Sequence, residues 1–375
     1  MKVSCSQEDL SKGLAVVGRA VATRAVLPIT NNVLLATEGS QLKLAATNLE
    51  IATSCWIAAN VEKEGTLTVP ARLLTDFVNS LPSGQIEMTL PARSKSLELK
   101  CARYDARISG LDAADFPAIP TIEDGIKVTV KPDALRLAIN QVVFAAASEE
   151  SRPVLTGVYT DFDGDQLTFA AADGFRLAVH TMSLDAAIKE KMAVIIPARS
   201  LNELGRLLGD QEEPLEVTVN SQRSQVLFKM SGVEMVSQLI QGTFPNYDQL
   251  IPQSYSTRAV IKLSDFLVAT RSASIFARDG SGIVRLQIMP KDGSGKIDIS
   301  ARAEEIGDNL GEIDATVEGE EAKIAFNSKY LLDVLQVITE KEVALETTSS
   351  SSPGLIRPVG NDKYLHVVMP MFVQW

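Results

Sequence analysis

Two histidines are the only imidazoles in these 375 residues, and they limit the chemistry the chain can do. His180 falls in the alternating run Leu177-Ala178-Val179-His180, and His366 lies beside Tyr364 in a second such run. Both read as structural strand residues, not general bases. No GxSxG, HExxH or GxxxxGK[ST] pattern occurs. Asp161-Phe162-Asp163-Gly164-Asp165 has the look of a calcium loop, but it lacks the downstream bidentate Glu and suits a hairpin turn better. Asp163 and Asp173 could be a hydrolase's carboxylate pair, yet no nucleophile or metal set accompanies them. Asp279-Gly280-Ser281-Gly282 and Asp292-Gly293-Ser294-Gly295 lack the Lys and helix of a phosphate loop. Cys5, Cys55 and Cys101 are scattered and never at CxxC spacing, which predicts buried reduced thiols.

What does recur is positive charge. Lys12 and Arg19, Arg199 and Arg206, and Arg271 and Arg278 are each seven apart. At about 100° per residue such pairs return to nearly the same helix face. Arg24, Arg72, Arg136 and Lys329 take equivalent or neighbouring places. The chain as a whole carries a net charge of −11, which argues against coating nucleic acid with its entire surface but leaves room for a local basic face. A face of this kind meets phosphates without reading bases.

The elements that must position these residues are written three times. Val69-Pro70-Ala71-Arg72-Leu73-Leu74 returns as Ile196-Pro197-Ala198-Arg199-Ser200-Leu201 and, more worn, as Phe326-Asn327-Ser328-Lys329-Tyr330-Leu331. From Pro70 to Pro197 is 127 positions and from Pro197 to Asn327 is 130, about one domain each. Each copy passes from a β-type run through a Pro or Asn suited to the first helical turn into apolar residues at helical spacing. Each third also opens with a short strand and an amphipathic helix. The first such helix is predicted from Ser6, a cap paired with Asp9, to Arg24; the second starts at Pro132; the third has Ser264 as its cap. Hairpin turns are predicted at Glu38-Gly39-Ser40, Asp163-Gly164-Asp165 and Asp292-Gly293.

The reading is therefore α+β: three tandem similar domains of antiparallel sheet plus two helices, spanning 1–123, 124–254 and 255–375. Hydrophobic residues at 45% and charged residues at 22% fit folded protein throughout. With no basic-then-apolar leader and no apolar run of about 20 residues, a soluble cytoplasmic protein is expected. The apolar run Val367 to Trp375 is expected to be docked or partner-bound. On these residues alone a three-repeat protein-binding scaffold that never touches DNA competes with a DNA-handling protein.

Leu27-Pro28-Ile29, Ala114-Asp115-Phe116-Pro117, Asp173-Gly174-Phe175-Arg176-Leu177-Ala178, Phe244-Pro245-Asn246-Tyr247, Tyr330-Leu331-Leu332-Asp333 and Val367-Val368-Met369-Pro370-Met371 follow one another in order along the chain. With them the chain resembles, over its full length, the bacterial DNA polymerase sliding clamps, beta subunits of the polymerase III holoenzyme. The resemblance implies a head-to-tail homodimer whose six domains close a ring (the DNA clamp fold), with helices lining the hole and duplex DNA passing through it. It implies processivity without catalysis, and no cofactor or metal. It makes Lys12, Arg19, Arg24, Arg72, Arg136, Arg199, Arg206, Arg271, Arg278 and Lys329 DNA-facing, and Ile108, Ile275 and Phe276 dimer-interface residues. It further implies a cleft for short linear peptides of the replicative polymerase, the clamp loader and repair proteins. That cleft is built from Leu155, Ala172, Gly174, Phe175, Arg176, Leu177, Pro245, Leu250, Val367, Val368, Met369, Pro370 and Met371.

Overall fold

A computed structural model describes residues 1–22, 27–92, 94–149, 151–188, 190–278, 281–291, 294–303 and 307–375, with only the backbone of Asp210. Arg24 and the Asp279-Gly280 and Asp292-Gly293 pairs lie outside the described residues.

In the first third, β1 (Lys2–Ser6) leads into α1 (Gln7–Val17), β2 (Asn32–Glu38), β3 (Gln41–Thr47), β4 (Ile51–Ala58) and β5 (Asn60–Lys63). Then come β6 (Thr66–Pro70), α2 (Ala71–Ser80), β7 (Gln85–Thr89), β8 (Ser96–Cys101) and β9 (Tyr104–Ser109). The middle third opens with β10 (Ile126–Val130), α3 (Pro132–Val142), β11 (Gly157–Asp163), β12 (Gln166–Ala172) and β13 (Arg176–Ser183). It continues through β14 (Met192–Pro197), α4 (Ala198–Leu207), β15 (Leu215–Val219), β16 (Gln225–Met230) and β17 (Val233–Gln238). The last third has β18 (Thr257–Lys262), α5 (Leu263–Arg278), β19 (Ile283–Lys291), β20 (Ser294–Ala303) and β21 (Gly307–Gly319). It closes with β22 (Ala322–Asn327), α6 (Ser328–Val337), β23 (Glu342–Thr347), β24 (Gly354–Pro358) and β25 (Tyr364–Val368).

All three written junctions are strand-to-helix joints: β6 into α2, β14 into α4 and β22 into α6. The Pro or Asn sits one place earlier than the first helical turn. Pro70 and Asn327 are N-caps, and Asn327, in extended backbone, accepts from Lys329 N with its Oδ1 at 2.9 Å. The Ser6 cap forms as the sequence requires, its Oγ accepting from Asp9 N at 3.0 Å. Two other expectations are corrected. The first helix stops at Val17 and tightens into a 3-10 turn over Gly18–Ala20, because Ala22 N donates to Thr30 O and draws the chain off the helix axis. Ser264 caps nothing: α5 begins a residue earlier, with Leu263 N bonded to Lys341 O, and Ser264 Oγ donates to the neighbouring Asp265 carboxylate.

The chain divides into two compact units, Met1–Asp133 with Glu203–Leu239, and Ala134–Asn202 with Ile240–Trp375. The first unit holds a five-stranded sheet, β5-β1-β7-β8-β9, and an eight-stranded one, β10-β15-β16-β17-β4-β3-β2-β6. The eight strands are two four-stranded sheets joined edge to edge, β17 pairing antiparallel with β4 from Val233↔Cys55 to Ser237↔Ile51. On the core side α1 buries Leu10, Leu14 and Val17 and α2 buries Leu74 and Val78. Burial of each such side chain is worth roughly 1.5–3 kcal/mol. Gly13 lets α1 approach closely, since a Cβ there would come within 2.5 Å of Leu44 Cδ1. Cys5, Cys55 and Cys101 are buried free thiols, and burial pushes the first two up to about 12.

The second unit is built on a twelve-stranded sheet, β14-β11-β12-β13-β25-β24-β23-β18-β21-β20-β19-β22. The same kind of edge joint recurs, β13 pairing antiparallel with β25 from Arg176↔Val368 to His180↔Tyr364. Here α5 buries Phe266, Ala269, Ala273 and Ala277, and α6 buries Leu331, Val334 and Leu335. No helix among the described residues is long and apolar enough to cross a membrane.

Candidate partner cleft and basic helix faces

The β13–β25 joint carries the site. Strand alternation turns Leu177 and Val367, which face each other in register, to one side of the sheet, and Arg176, His180, Tyr364 and His366 to the other. On the first side lies a cleft of about 480 Å³. One wall is Ala172, Gly174, Arg176, Leu177, Val367 and Met369; the facing wall is residues 249–254 with Thr348, Ser352 and Pro353. Leu155, Val179, Ile195, Phe244 and Leu355 form the buried floor. Tyr159, stacked on Phe244 with centroids 5.5 Å apart, and Tyr247 brace that floor, and burial pushes the Tyr247 hydroxyl up to about 12.

The rim depends on the turn between β12 and β13. Asp173 Oδ1 accepts from the backbone N–H groups of Phe175 and Arg176 at 2.9 and 3.0 Å, and Gly174 takes φ +94°, a conformation costly for any side chain. Arg176 is only 9% exposed, and its guanidinium is committed. Nε donates to Asp173 Oδ2 at 3.0 Å, Nη1 to Asp333 Oδ2 at 2.6 Å and Nη2 to Phe144 O at 2.6 Å. The group lies 4.4 Å over Tyr330 and 5.3 Å over Phe144. Arg176 therefore ties β13 to α6, and its charge is already answered there.

Of the thirteen residues expected to form the cleft, Ala172, Gly174, Arg176, Leu177, Leu250, Val367 and Met369 line it. Leu155 is in the floor. Val368 is buried on the helix side, and Pro245 is exposed and outside the lining. Pro370 and Met371 follow the lining wall, Met371 N donating to Ala325 O. Phe175, 60% exposed, stands instead over a neighbouring polar cavity of about 640 Å³ lined also by Arg152, Lys329 and Tyr330. The facing wall was missed: Ile251-Pro252-Gln253-Ser254 looks like a linker and Ser349 to Ser352 like a bare turn, and no periodicity marks either. Among lining residues only Arg176 is charged, so the slot suits an extended apolar segment whose backbone meets the Gln, Ser and Thr groups at its edge.

The basic residues sit mainly on helices. Lys12 is exposed on α1, Arg72 on α2, Arg199 and Arg206 on α4, Arg271 and Arg278 on α5 and Lys329 on α6; Arg136 on α3 is half-buried. The seven-residue spacing holds within α4 and α5. It fails for Arg19, which lies beyond the end of α1. Several charges are partly answered: Arg19 and Arg206 lie 3.7 and 3.0 Å from Glu203, and Arg72 lies 3.8 Å from Asp76. In β9 the Ile108 side chain is 4% exposed, so it presents backbone and not side chain to any neighbour. On α5 Ile275 is exposed at 55% and Phe276 is half-buried.

Tandem sheet-and-helix repeats, joined edge to edge and carrying basic helices, define a clamp-type replication protein. Models of the N-terminal, central and C-terminal domains of the DNA polymerase III beta subunit match residues 1–120, 129–246 and 248–372, and the chain belongs to that family. It is 32% identical to the beta sliding clamp of Synechocystis sp., with 99% of each chain covered. It is similar to the solved DNA polymerase sliding clamp of Bacillus subtilis (29% identity, TM-score 0.95, all of both chains). It is also similar to the DNA polymerase III subunit beta of Pseudomonas aeruginosa (29% identity, TM-score 0.92, all of both chains).

Proposed function

We propose that this chain is a DNA sliding clamp that pairs head to tail with a second copy, encircles duplex DNA without sequence preference and tethers the replicative polymerase to it. One observation carries the ring: two edge joints are made within the chain and the parts for a third are left over. The last strands of the second and third repeats, β17 and β25, pair with β4 and β13. Their counterpart β9 ends its sheet, and β21, counterpart of β4 and β13, pairs with β18 only from Ala315 to Gly319. Among the described residues, β21 from Gly307 to Asp314 has strand partners only in β20. Pairing β9 of one copy with β21 of another closes the set, and a closed heterologous contact gives a ring instead of a filament. Exposed apolar residues flank both free edges: Leu310 (68%) and Ile275 on one side, Tyr104 and Leu111 on the other.

Lys12, Arg19, Arg72, Arg136, Arg199, Arg206, Arg271, Arg278 and Lys329 then meet phosphates weakly enough to slide, while the net charge of −11 keeps DNA off the remaining surface. Arg24 joins them by its place in sequence. The repeats are read as three domains, 1–123, 124–254 and 255–375. The cleft takes apolar linear segments of the polymerase, the clamp loader and repair proteins, its methionines repacking around differing side chains. No step in this reading needs a catalytic group, and it places the protein in the cytoplasm with the bacterial chromosome. The test is topological: protein loaded on nicked circular plasmid stays bound and is lost on linearisation, whereas equal retention on both forms overturns the reading.

A further inference from the structure

Residues 369–375, which follow β25, leave the cleft wall and run onto the outer edge of β22. Met369 N donates to Phe175 O and Met371 N to Ala325 O, both at 2.8 Å. β22 ends the twelve-stranded sheet with β19 as its one neighbour, so its outer edge is an open ladder. Lys323, two places back from Ala325, has its Nζ 5.8 Å from the centroid of the Trp375 ring and forms no ion pair among the described residues. Between the two holds, Phe372 is 89% exposed, while Trp375 has half its surface covered. The segment is thus pinned at Met371 and at Trp375, with Phe372 and Gln374 exposed between them and Val373 half-buried.

We propose that Trp375 and Lys323 latch this segment to β22 and so steady Met371 and, through it, Met369 in the wall of the cleft, making Trp375 and Lys323 positioning residues for partner binding. This rests on the cleft being the partner site. With the latch made, an incoming apolar segment meets a formed wall. With it broken, the backbone bond at Met371 frays, Met369 is left with its bond to Phe175 O alone, and its side chain must be ordered by the partner, which weakens the complex mainly through faster dissociation.

The test uses the full chain labelled at methionine methyl groups, with the replicative polymerase of the same organism as the binding probe on a surface plasmon resonance chip. Trp375→Ala and Lys323→Ala are each expected to narrow the Met371 methyl signal, move it to the position of a free methionine, and speed polymerase dissociation about two- to fivefold. Trp375→Phe and Lys323→Arg are expected to restore both readouts. Unchanged methyl signals in the alanine variants overturn the latch, and altered signals with unchanged dissociation overturn its role in positioning. If the unaltered protein fails to bind polymerase, the cleft assignment falls and with it the positioning role, while the methyl spectra still decide whether the latch exists.

Discussion

Acidification should destabilise the second unit through its two histidines, and the size of the effect follows from their surroundings. His180 is buried with Nδ1 2.7 Å from Gln141 Oε1, and burial, with Lys363 nearby, holds its pKa down to about 4. His366 is fully buried between sheet and helices, 5.4 Å from the Phe144 ring, and burial together with the Arg176 charge holds it down to about 3. Both rings fold neutral, whereas the unfolded chain protonates them near pH 6.5. Below that value the unfolded state binds more protons, so stability is complete above pH 6.5 and falls as pH drops toward 4 and then 3. At pH 5 the loss is about 2 kcal/mol for each ring and about 4 kcal/mol for the pair. Urea unfolding at pH 7.5 and pH 5 should show this loss in the parent protein and not in a His180→Gln/His366→Leu double variant. Carboxylate titration is common to both and cancels in the difference. The first unit has no histidine and serves as an internal control. As the chain has only two imidazoles, their proton resonances can be followed directly. A midpoint above pH 6 for either ring, or the same pH dependence in parent and double variant, would refute the reasoning.

Arg176→Ala should lower the stability of the second unit by about 3 kcal/mol in chemical denaturation, because it strands Asp173 and Asp333 beside a buried carbonyl. Arg176→Lys should recover less than half, lacking the fork that reaches all three acceptors. Gly174→Ala should cost about 1–2 kcal/mol from the positive φ and weaken polymerase binding measured by resonance, with unit 1 unaffected. Ile275→Asp should leave the thermal unfolding of each unit near its parent value yet shift sedimentation from dimer to monomer; a persistent dimer would count against the β9–β21 interface.

Much of the architecture was legible because the chain repeats itself. The Pro70, Pro197 and Asn327 junctions, the Gly39 and Gly164 turns and the Ser6 cap are local devices whose residue types state their geometry. The end of α1 was not legible: apolar spacing continues past Val17, while the bonds of Val21 N to Gly18 O and Ala22 N to Thr30 O turn the chain away. Half of the cleft wall was visible through Ala172, Leu177, Val367 and Met369, which belong to patterned strands or lie just beyond one. The wall from Gln249 to Ser254 has no pattern to read, since its place is set by contacts rather than by periodicity. Nor could sequence reveal that Arg176 is spent on Asp333, 157 positions away. Alternation alone, which puts Ile108 across from Leu97 in a buried pair, could have shown that its side chain faces inward.

The edge joints β4–β17 and β13–β25 have a consequence for how such a chain changes over time. Each is closed by main-chain hydrogen bonds, which every residue but proline supplies alike, so the pairing itself is indifferent to side-chain identity even where the packing behind it, as at Arg176, is not. Three copies of one unit could therefore drift apart in sequence until only a few junction residues still match, and remain interlocked. The same indifference lets one stretch of joint, Arg176 to His180 against Tyr364 to Val368, serve as scaffold on one face while the other face is remade for new ligands.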